Sequence, residues 1–245
     1  MARYAIILAY DGTHYHGWQK QPNARTVQEV IEEKISLILN SPVEILGCGR
    51  TDTGVHAAFY VAHADLVLVD SPHQLKYKLN KVLPADISIS DIKEVHPEFH
   101  ARFDAEWREY KYYVSLQKNI WQREYSYLQK SDLNLAAMQQ ACQYLIGSHD
   151  FSSFCKIGSD NGHNLCQVTM VTWEKINDQL VFTIRANRFL RNMVRAIVGT
   201  MLEIGEGKLQ AEDIQKILKE QKRAAAKKSA HAAGLFLNFV KYPSI

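Results

Sequence analysis

The hydrophobic pattern of the chain switches repeatedly between strand and helix spacing, and this alternation restricts the fold more than any other feature. Residues 3–10, RYAIILAY, form a β-branched run that is typical of a buried strand. Residues 26–38 instead place their apolar side chains on one helical face, and Thr26 and Glu29 have the spacing of a capping box at the helix start. The chain therefore combines sheet and helix from its first forty residues onward.

Further segments continue this alternation in two successive series. Short strands interleaved with helices predict an α+β fold. We expect two lobes, residues 1–105 and 106–245, each an antiparallel sheet with flanking helices. The remaining predicted strands are 43–47, 58–67, 86–95, 108–116, 167–176, 180–187 and 235–241, and the remaining predicted helices are 72–83, a segment between 132 and 147, and 191–204.

Composition places the chain among ordinary folded proteins. Hydrophobic residues make up 47% of it and charged residues 22%, which is enough for a core and excludes general disorder. No apolar run reaches the roughly 18 residues that a membrane span needs, and the N-terminal run is too short for a secretion signal. The four cysteines form no CxxC pair, which favours reduced thiols in a cytoplasmic protein.

Positive charge is concentrated in one part of the chain. The formal net charge is only +3, but residues 185–228 hold 11 basic against 5 acidic residues, a net of +6. Such a segment predicts either a polyanionic partner, because phosphate contacts release counterions, or a solvated helical surface. Charge alone leaves both alternatives open.

The stretch GRTDTGVHA, residues 49–57, presents Asp52 within an Asp-Thr-Gly tripeptide. Aspartic proteases use this tripeptide in a pair of carboxylates that share one proton, but the chain has no second DTG or DSG, and the neighbouring Arg50 would lower the pKa of the carboxyl group. Two alternatives remain: a turn residue that caps nearby backbone groups, or an ionised nucleophile or general base. Gly49 and Gly54 would let backbone or substrate approach that acid closely.

The same stretch resembles the catalytic motif of the pseudouridine synthases, and five further blocks resemble the TruA tRNA branch of that family. The blocks occur in the family's order, so the resemblance extends from about residue 3 to residue 243, and residues 118–165 match least. The blocks are YDGTHYHGWQKQPNARTVQEVIEEKI at 10–35, LPADI at 83–87, FHARFDAEWREYKYYV at 99–114, ANRFLRNMVRAIVG at 186–199 and AGLFLNFVKYP at 233–243.

This resemblance implies an enzyme that converts uridine to pseudouridine at positions 38, 39 and 40 of the tRNA anticodon stem–loop, without a cofactor or a metal. Asp52 would be the catalytic carboxylate, attacking the base or C1′ or removing a ribose proton. The resemblance also implies RRM- or ferredoxin-like lobes with a catalytic cleft between them, tRNA as the partner, and a homodimer.

Three more side chains are assigned to substrate binding through the resemblance. Tyr110 would stack on the target base, Arg195 would pair with Asp52, and Arg50 would help to extrude a base that is buried in a stem. Two of these positions also fit a structural role. Tyr110 can be a strand aromatic, and Arg195, which is predicted to lie mid-helix among apolar residues, can pair with another acid.

Other polar clusters carry weaker signals. His149, Cys155, His163 and Cys166 have a spacing that fits no familiar zinc site, so polar and core roles are expected for them.

An alternative function, a non-catalytic RNA-binding protein with RRM-like lobes, would need an RNP1 consensus that the chain lacks. The candidate phosphate contacts are Arg188, Arg191, Lys219, Lys222, Arg223, Lys227 and Lys228.

Overall fold

The structure is a computed structural model that describes residues 1–159, 162–243 and 245. Its sheets and helices confirm the α+β prediction. The strands are β1 (Ala2–Tyr10), β2 (Leu46–Gly47), β3 (His56–Leu66), β4 (Ile87–Glu94), β5 (Trp107–Ser115), β6 (Tyr127–Leu128), β7 (Gly147–Asp150), β8 (Leu165–Ile176), β9 (Gln179–Ala186) and β10 (Leu235–Lys241). The helices are α1 (Val27–Leu39), α2 (Pro72–Val82), α3 (Leu135–Cys142), α4 (Met193–Gly205) and α5 (Asp213–Glu220).

The chain divides into two compact units. The first contains Met1–Glu106 together with Leu237–Ile245, and the second contains Trp107–Phe236. Strands of the first unit follow the order β4-β1-β3-β10, with β2 beside β3, and β1 pairs antiparallel with both of its neighbours. Strands of the second unit follow the order β5-β9-β8-β7, with β6 parallel to β5.

Helix α1 begins and ends as its sequence predicts. The Thr26 side chain accepts a hydrogen bond from the Glu29 amide at 3.4 Å, which satisfies one of the donors that a helix start leaves open. Asn40 ends the helix in the left-handed conformation, with φ of 50°. The apolar face of the helix is buried, with Val27 and Ile31 fully inaccessible.

The predicted strand at 43–47 is wrong over most of its length, since only β2 is a strand. The cause lies in α1, because its polar side chains form hydrogen bonds with backbone groups that would otherwise bond to a neighbouring strand. Ile45 N–H donates to Glu32 Oε1 at 3.1 Å, and Gln28 Nε2 donates to the Ile45 carbonyl at 3.0 Å. This segment therefore runs extended along the helix without joining the sheet until Leu46.

Strands β5, β8 and β9 of the second unit lie where the sequence predicts them, whereas β6, β7 and α5 were not predicted. The sequence of β7, GSHD, lacks strand-forming residues, and the strand exists through pairing with β8, in which His149 lies opposite Cys166. Helix α5 buries Ile214, Ile217 and Leu218 and exposes Lys216, Lys219 and Glu220.

Helix α4 begins two residues later than predicted, which changes the setting of one candidate residue. Arg195 is its third residue and lies in the first turn, so the prediction of a mid-helix arginine is wrong. The helix is buried on nearly all sides, from Met193 to Gly205. A helix of this kind forms the centre of a core, and it is the least exposed helix of the second unit.

Candidate active site

The loop that carries Asp52 connects β2 to β3 in the first unit, and backbone hydrogen bonds fix both of its ends. Cys48 N–H donates to the Val61 carbonyl at 2.9 Å, next to the start of the loop. Gly54 N–H donates to the Tyr15 carbonyl at 3.2 Å, and Trp18 N–H donates to the Thr51 carbonyl at 3.4 Å. Tyr15 and Trp18 therefore support, through their main chain, a loop that is not itself in the sheet.

Asp52 begins a tight turn that its main chain closes. The Asp52 carbonyl accepts a hydrogen bond from Val55 N–H at 3.1 Å. Gly54 has a φ of 75° at the third position of this turn, where a positive φ favours glycine. Asp52 is half-buried, Thr53 is exposed and Val55 is buried, so the turn places the acid at the edge of the fold.

Two glycines let other backbone approach this loop, and the sequence analysis did not identify them. A Cβ atom at Gly12 would lie 2.0 Å from the Val55 carbonyl oxygen, and one at Gly17 would lie 2.2 Å from that of Thr51. Gly17 also has a φ of 85°. At Gly49, by contrast, a Cβ would meet no protein atom within 4 Å, so packing does not require the glycine that the motif places there.

An aromatic cluster of Tyr10, Trp18 and Tyr60 contacts the same loop. The rings of Trp18 and Tyr60 are stacked with centroids 4.0 Å apart, and the Tyr10 ring lies 5.7 Å from that of Tyr60. Their phenol groups reach the loop itself: Tyr10 Oη is 2.9 Å from Thr51 Oγ1, and Tyr60 Oη donates to the Gly49 carbonyl. The dense aromatics and glycines of YDGTHYHGW at 10–18 are the sequence signal for this support.

Tyr110 lies on β5 in the second unit, opposite Ile184 of β9. It is half-buried, and its ring meets that of Phe189 edge-on at 5.0 Å with an interplanar angle of 82°. Tyr112, two residues along, is fully buried, its hydroxyl donates to the His231 carbonyl at 2.9 Å, and burial raises its pKa. Of these two tyrosines, Tyr112 is therefore a core residue, and Tyr110 is the more accessible one.

Arg195 holds a neighbouring segment of the second unit against α4. Its Nε donates to the Ala230 carbonyl at 2.9 Å, and Ala230 N–H donates back to the Arg195 carbonyl at 2.9 Å. The approach is close, because a Cβ at Gly199 would lie 1.9 Å from the Lys228 carbonyl oxygen. Arg50 and Asp52 belong to the first unit, and Tyr110 and Arg195 belong to the second.

Part of the basic segment has structural partners. Arg185 Nη2 lies 2.7 Å from Glu109 Oε2, and its guanidinium carbon lies 4.1 Å from the Trp107 ring centroid. Arg223 donates to the carbonyl oxygens of residues 226 and 227, which closes the loop after α5. The four lysines that were candidate phosphate contacts are exposed: Lys219, Lys222, Lys227 and Lys228.

Within the described part of the chain, no three His, Cys, Asp or Glu side chains are grouped so as to hold a metal ion. His149 Nε2 is 2.9 Å from the Ile146 carbonyl oxygen, and Arg188 Nη1 is 3.1 Å from His163 Nε2. All four cysteines are buried thiols, and burial raises the pKa of Cys166 to about 12, which makes its thiolate scarce at neutral pH. In the same described residues, no helix has the length and apolar character of a membrane span.

Comparison with known proteins places this loop in a wider context. A sequence model described as tRNA pseudouridine synthase matches residues 6–104 and 141–243. The protein named tRNA pseudouridine synthase A from Bacteroides thetaiotaomicron is 48% identical, with 99% of this chain and 91% of that protein covered. Its namesake from Bacteroides fragilis is 46% identical, with 98% and 96% covered, and that from Halalkalibacterium halodurans is 42% identical, with 96% and 90% covered.

The matched ranges contain three of the four candidate residues. Arg50, Asp52 and Arg195 fall within the two ranges, whereas Tyr110 lies in the interval between them. Identity to the curated relatives nevertheless extends over nearly the whole chain, including that interval.

Proposed function

This chain belongs to the tRNA pseudouridine synthase family, and we propose that it isomerises uridine to pseudouridine at positions 38, 39 and 40 of the tRNA anticodon stem–loop, with Asp52 as the catalytic carboxylate. The observation that carries the proposal is the full-length match to the curated relatives. The matched region includes the hydrogen-bonded loop that presents Asp52 at the edge of the fold. A rigid, half-buried loop with many supporting contacts is what a carboxylate needs in order to meet a substrate in a fixed geometry.

The reaction rearranges bonds within one nucleotide and needs no redox partner. The bond from ribose C1′ to N1 of uracil breaks, a bond from C1′ to C5 forms, the C5 proton leaves and N1 gains a proton. The carboxylate of Asp52 acts directly, by attack on the base or on C1′ or by removal of a ribose proton. Neither a cofactor nor a metal ion takes part in this scheme.

The other candidate residues take the substrate-binding roles. Tyr110 stacks on the detached base, which suits an accessible phenol whose ring is held by Phe189. Arg50 is exposed and helps to extrude the target nucleotide from the stem. Arg195, whose Nε donates to the Ala230 carbonyl, contributes its remaining guanidinium nitrogens to substrate binding.

The tRNA backbone is bound by exposed basic residues of the second unit, including the four lysines from Lys219 to Lys228. Arg185 is excluded from this role because Glu109 already neutralises it. By its resemblance to the family, the enzyme works as a homodimer in the cytoplasm.

Mapping of the modified positions tests this function. Unmodified tRNA transcripts with uridine at positions 38, 39 and 40 are incubated with the enzyme, treated with a carbodiimide that labels pseudouridine, and copied by reverse transcriptase. We expect stops one nucleotide to the 3′ side of each of those positions, and no such stops in transcripts that carry cytidine there. Tight binding of the transcripts without any stop would instead indicate the alternative, a non-catalytic RNA-binding protein.

A further inference from the structure

We propose that Tyr10 and Tyr60 are positioning residues whose phenol groups hold the Asp52 loop in its reactive geometry. The inference rests on the proposed function of Asp52, since it concerns the loop that presents this carboxylate. Both side chains lie beneath the loop in the first unit and contact residues on the N-terminal side of Asp52.

Tyr60 anchors the start of the loop. Its side chain is fully buried on β3, and its hydroxyl donates to the Gly49 carbonyl, three residues before Asp52. Two neighbours fix the ring: the stacked Trp18, and Gly47, where a Cβ would lie 2.1 Å from the phenol oxygen. The Trp18 stack and the close approach to Gly47 therefore hold the phenol oxygen next to the Gly49 carbonyl.

Tyr10 anchors the residue that directly precedes Asp52. It ends β1, is 4% exposed, and its hydroxyl lies 2.9 Å from Thr51 Oγ1, with either group able to donate. Its ring lies 5.7 Å from that of Tyr60 and 6.2 Å from that of Trp18, so the three aromatics form one block. Because Tyr10 and Tyr60 lie on the paired strands β1 and β3, the sheet fixes two of the three rings.

Two anchors on Gly49 and Thr51 restrict the path of the chain that enters the Asp52 turn. The turn itself is closed by its own backbone and supported on its far side by Tyr15. A loop that is fixed at both sides holds its carboxylate in place before substrate arrives, and catalysis gains from such pre-organisation. The effect of each phenol on the reaction passes through the position of Asp52.

Conservative variants separate this role from general stability. Tyr60→Phe and Tyr10→Phe remove one hydroxyl each and keep the aromatic block. The matched control is Tyr242→Phe, because Tyr242 is also buried in the first unit and its hydroxyl also donates to a carbonyl, that of Ala101, away from the loop. All three are compared with the wild type in melting temperature, in tRNA affinity and in single-turnover pseudouridine formation with enzyme in excess.

For Tyr60→Phe and Tyr10→Phe we expect single-turnover rates lower by about tenfold, with tRNA affinity within about twofold of the wild type. The control should lose a similar amount of melting temperature and keep its rate. Equal rates for a loop variant and the control would overturn the proposal, because the phenols would then contribute to stability alone.

Hydrogen exchange gives a readout that does not depend on activity. The Gly54 and Val55 amides should exchange faster in the two loop variants than in the control. Unchanged amide exchange would show that the two phenols do not anchor the loop. Faster exchange together with an unchanged single-turnover rate would show that the anchoring does not contribute to catalysis. Absence of pseudouridine in the wild type itself would refute the proposed function, and that failure is separate because the exchange result still reports on the anchors.

Discussion

Replacement of Glu32 by alanine tests how the first unit supports the segment that leads into the Asp52 loop. Glu32 is buried on α1, and its Oε1 accepts from Ile45 N–H at 3.1 Å and from Gln28 Nε2 at 2.9 Å. Its Oε2 lies 3.3 Å from Lys20 Nζ. Alanine favours the helix, so the effect of Glu32→Ala reports on these lost contacts.

The largest contribution comes from Ile45, which is fully buried and whose N–H would lose a charged acceptor. A hydrogen bond to a charged group contributes about 1.5–3 kcal/mol, and a buried donor without a partner costs about 1–3 kcal/mol. Gln28 keeps its second partner, the Ile45 carbonyl. The Lys20 ion pair adds at most about 1 kcal/mol, because the lysine is largely exposed. We therefore expect Glu32→Ala to lower the free energy of unfolding by about 2–4 kcal/mol.

Urea unfolding at neutral pH measures this loss, and the next residue provides the control. Glu33 has the same side chain on the exposed face of the same helix, so Glu33→Ala should change the free energy of unfolding by no more than about 0.5 kcal/mol. A difference between the two variants below about 0.5 kcal/mol would show that the carboxylate does not hold the Ile45 backbone.

Three further predictions concern the fold and the candidate site. Gly17→Ala should lower the melting temperature strongly, because its φ is 85° and its Cβ would meet backbone at 2.2 Å, whereas Gly49→Ala should leave it nearly unchanged; equal effects would contradict this reasoning. Burial lowers the pKa of His63 to about 4, so the unfolded chain binds the proton more readily. The contribution of His63 to the free energy of unfolding should be fully present above about pH 6.5 and should decrease as the pH falls toward 4. In urea titrations, His63→Gln should make the free energy of unfolding less dependent on pH in this range, and an unchanged pH dependence would refute the role of His63. Arg195→Ala should lower both activity and melting temperature, and an unchanged melting temperature would argue against a paired, partly buried guanidinium.

Periodic segments were the part of the fold that the sequence determined best. The helix after Thr26 and the strands β1, β3, β4, β8 and β9 lie where hydrophobic spacing and capping residues predict them. In each of these the local pattern and the tertiary contacts require the same conformation, so local reasoning is sufficient.

The secondary-structure predictions were wrong where contacts with another segment of the chain determine the conformation. Residues 43–45 were predicted as part of a strand, but Glu32 and Gln28 form hydrogen bonds with the backbone groups of Ile45. The polar strand β7 was missed for the opposite reason, since only its pairing with β8 makes it a strand. Neither partner is visible from the local sequence.

The candidate site shows the same division. The Asp52 motif was recognisable as a short contiguous stretch, and Gly54 has the positive φ that such a turn requires. The support from Tyr60 was not recognisable, because this tyrosine lies outside YDGTHYHGW and reaches the loop from a separate strand, β3. The sequence also suggested a role for Gly49 that packing against protein atoms does not require.

The central claim is that Asp52 performs the isomerisation of uridine, and tritium release tests it most directly. Substrate tRNA labelled with tritium at uridine C5 is incubated with the wild type and with Asp52→Asn, and tRNA binding is measured for both. We expect tritium release by the wild type only, with affinities within a few-fold of each other, because phosphate contacts dominate binding. Release by Asp52→Asn at the wild-type rate, or no release by a folded wild type that binds this tRNA, would contradict the account.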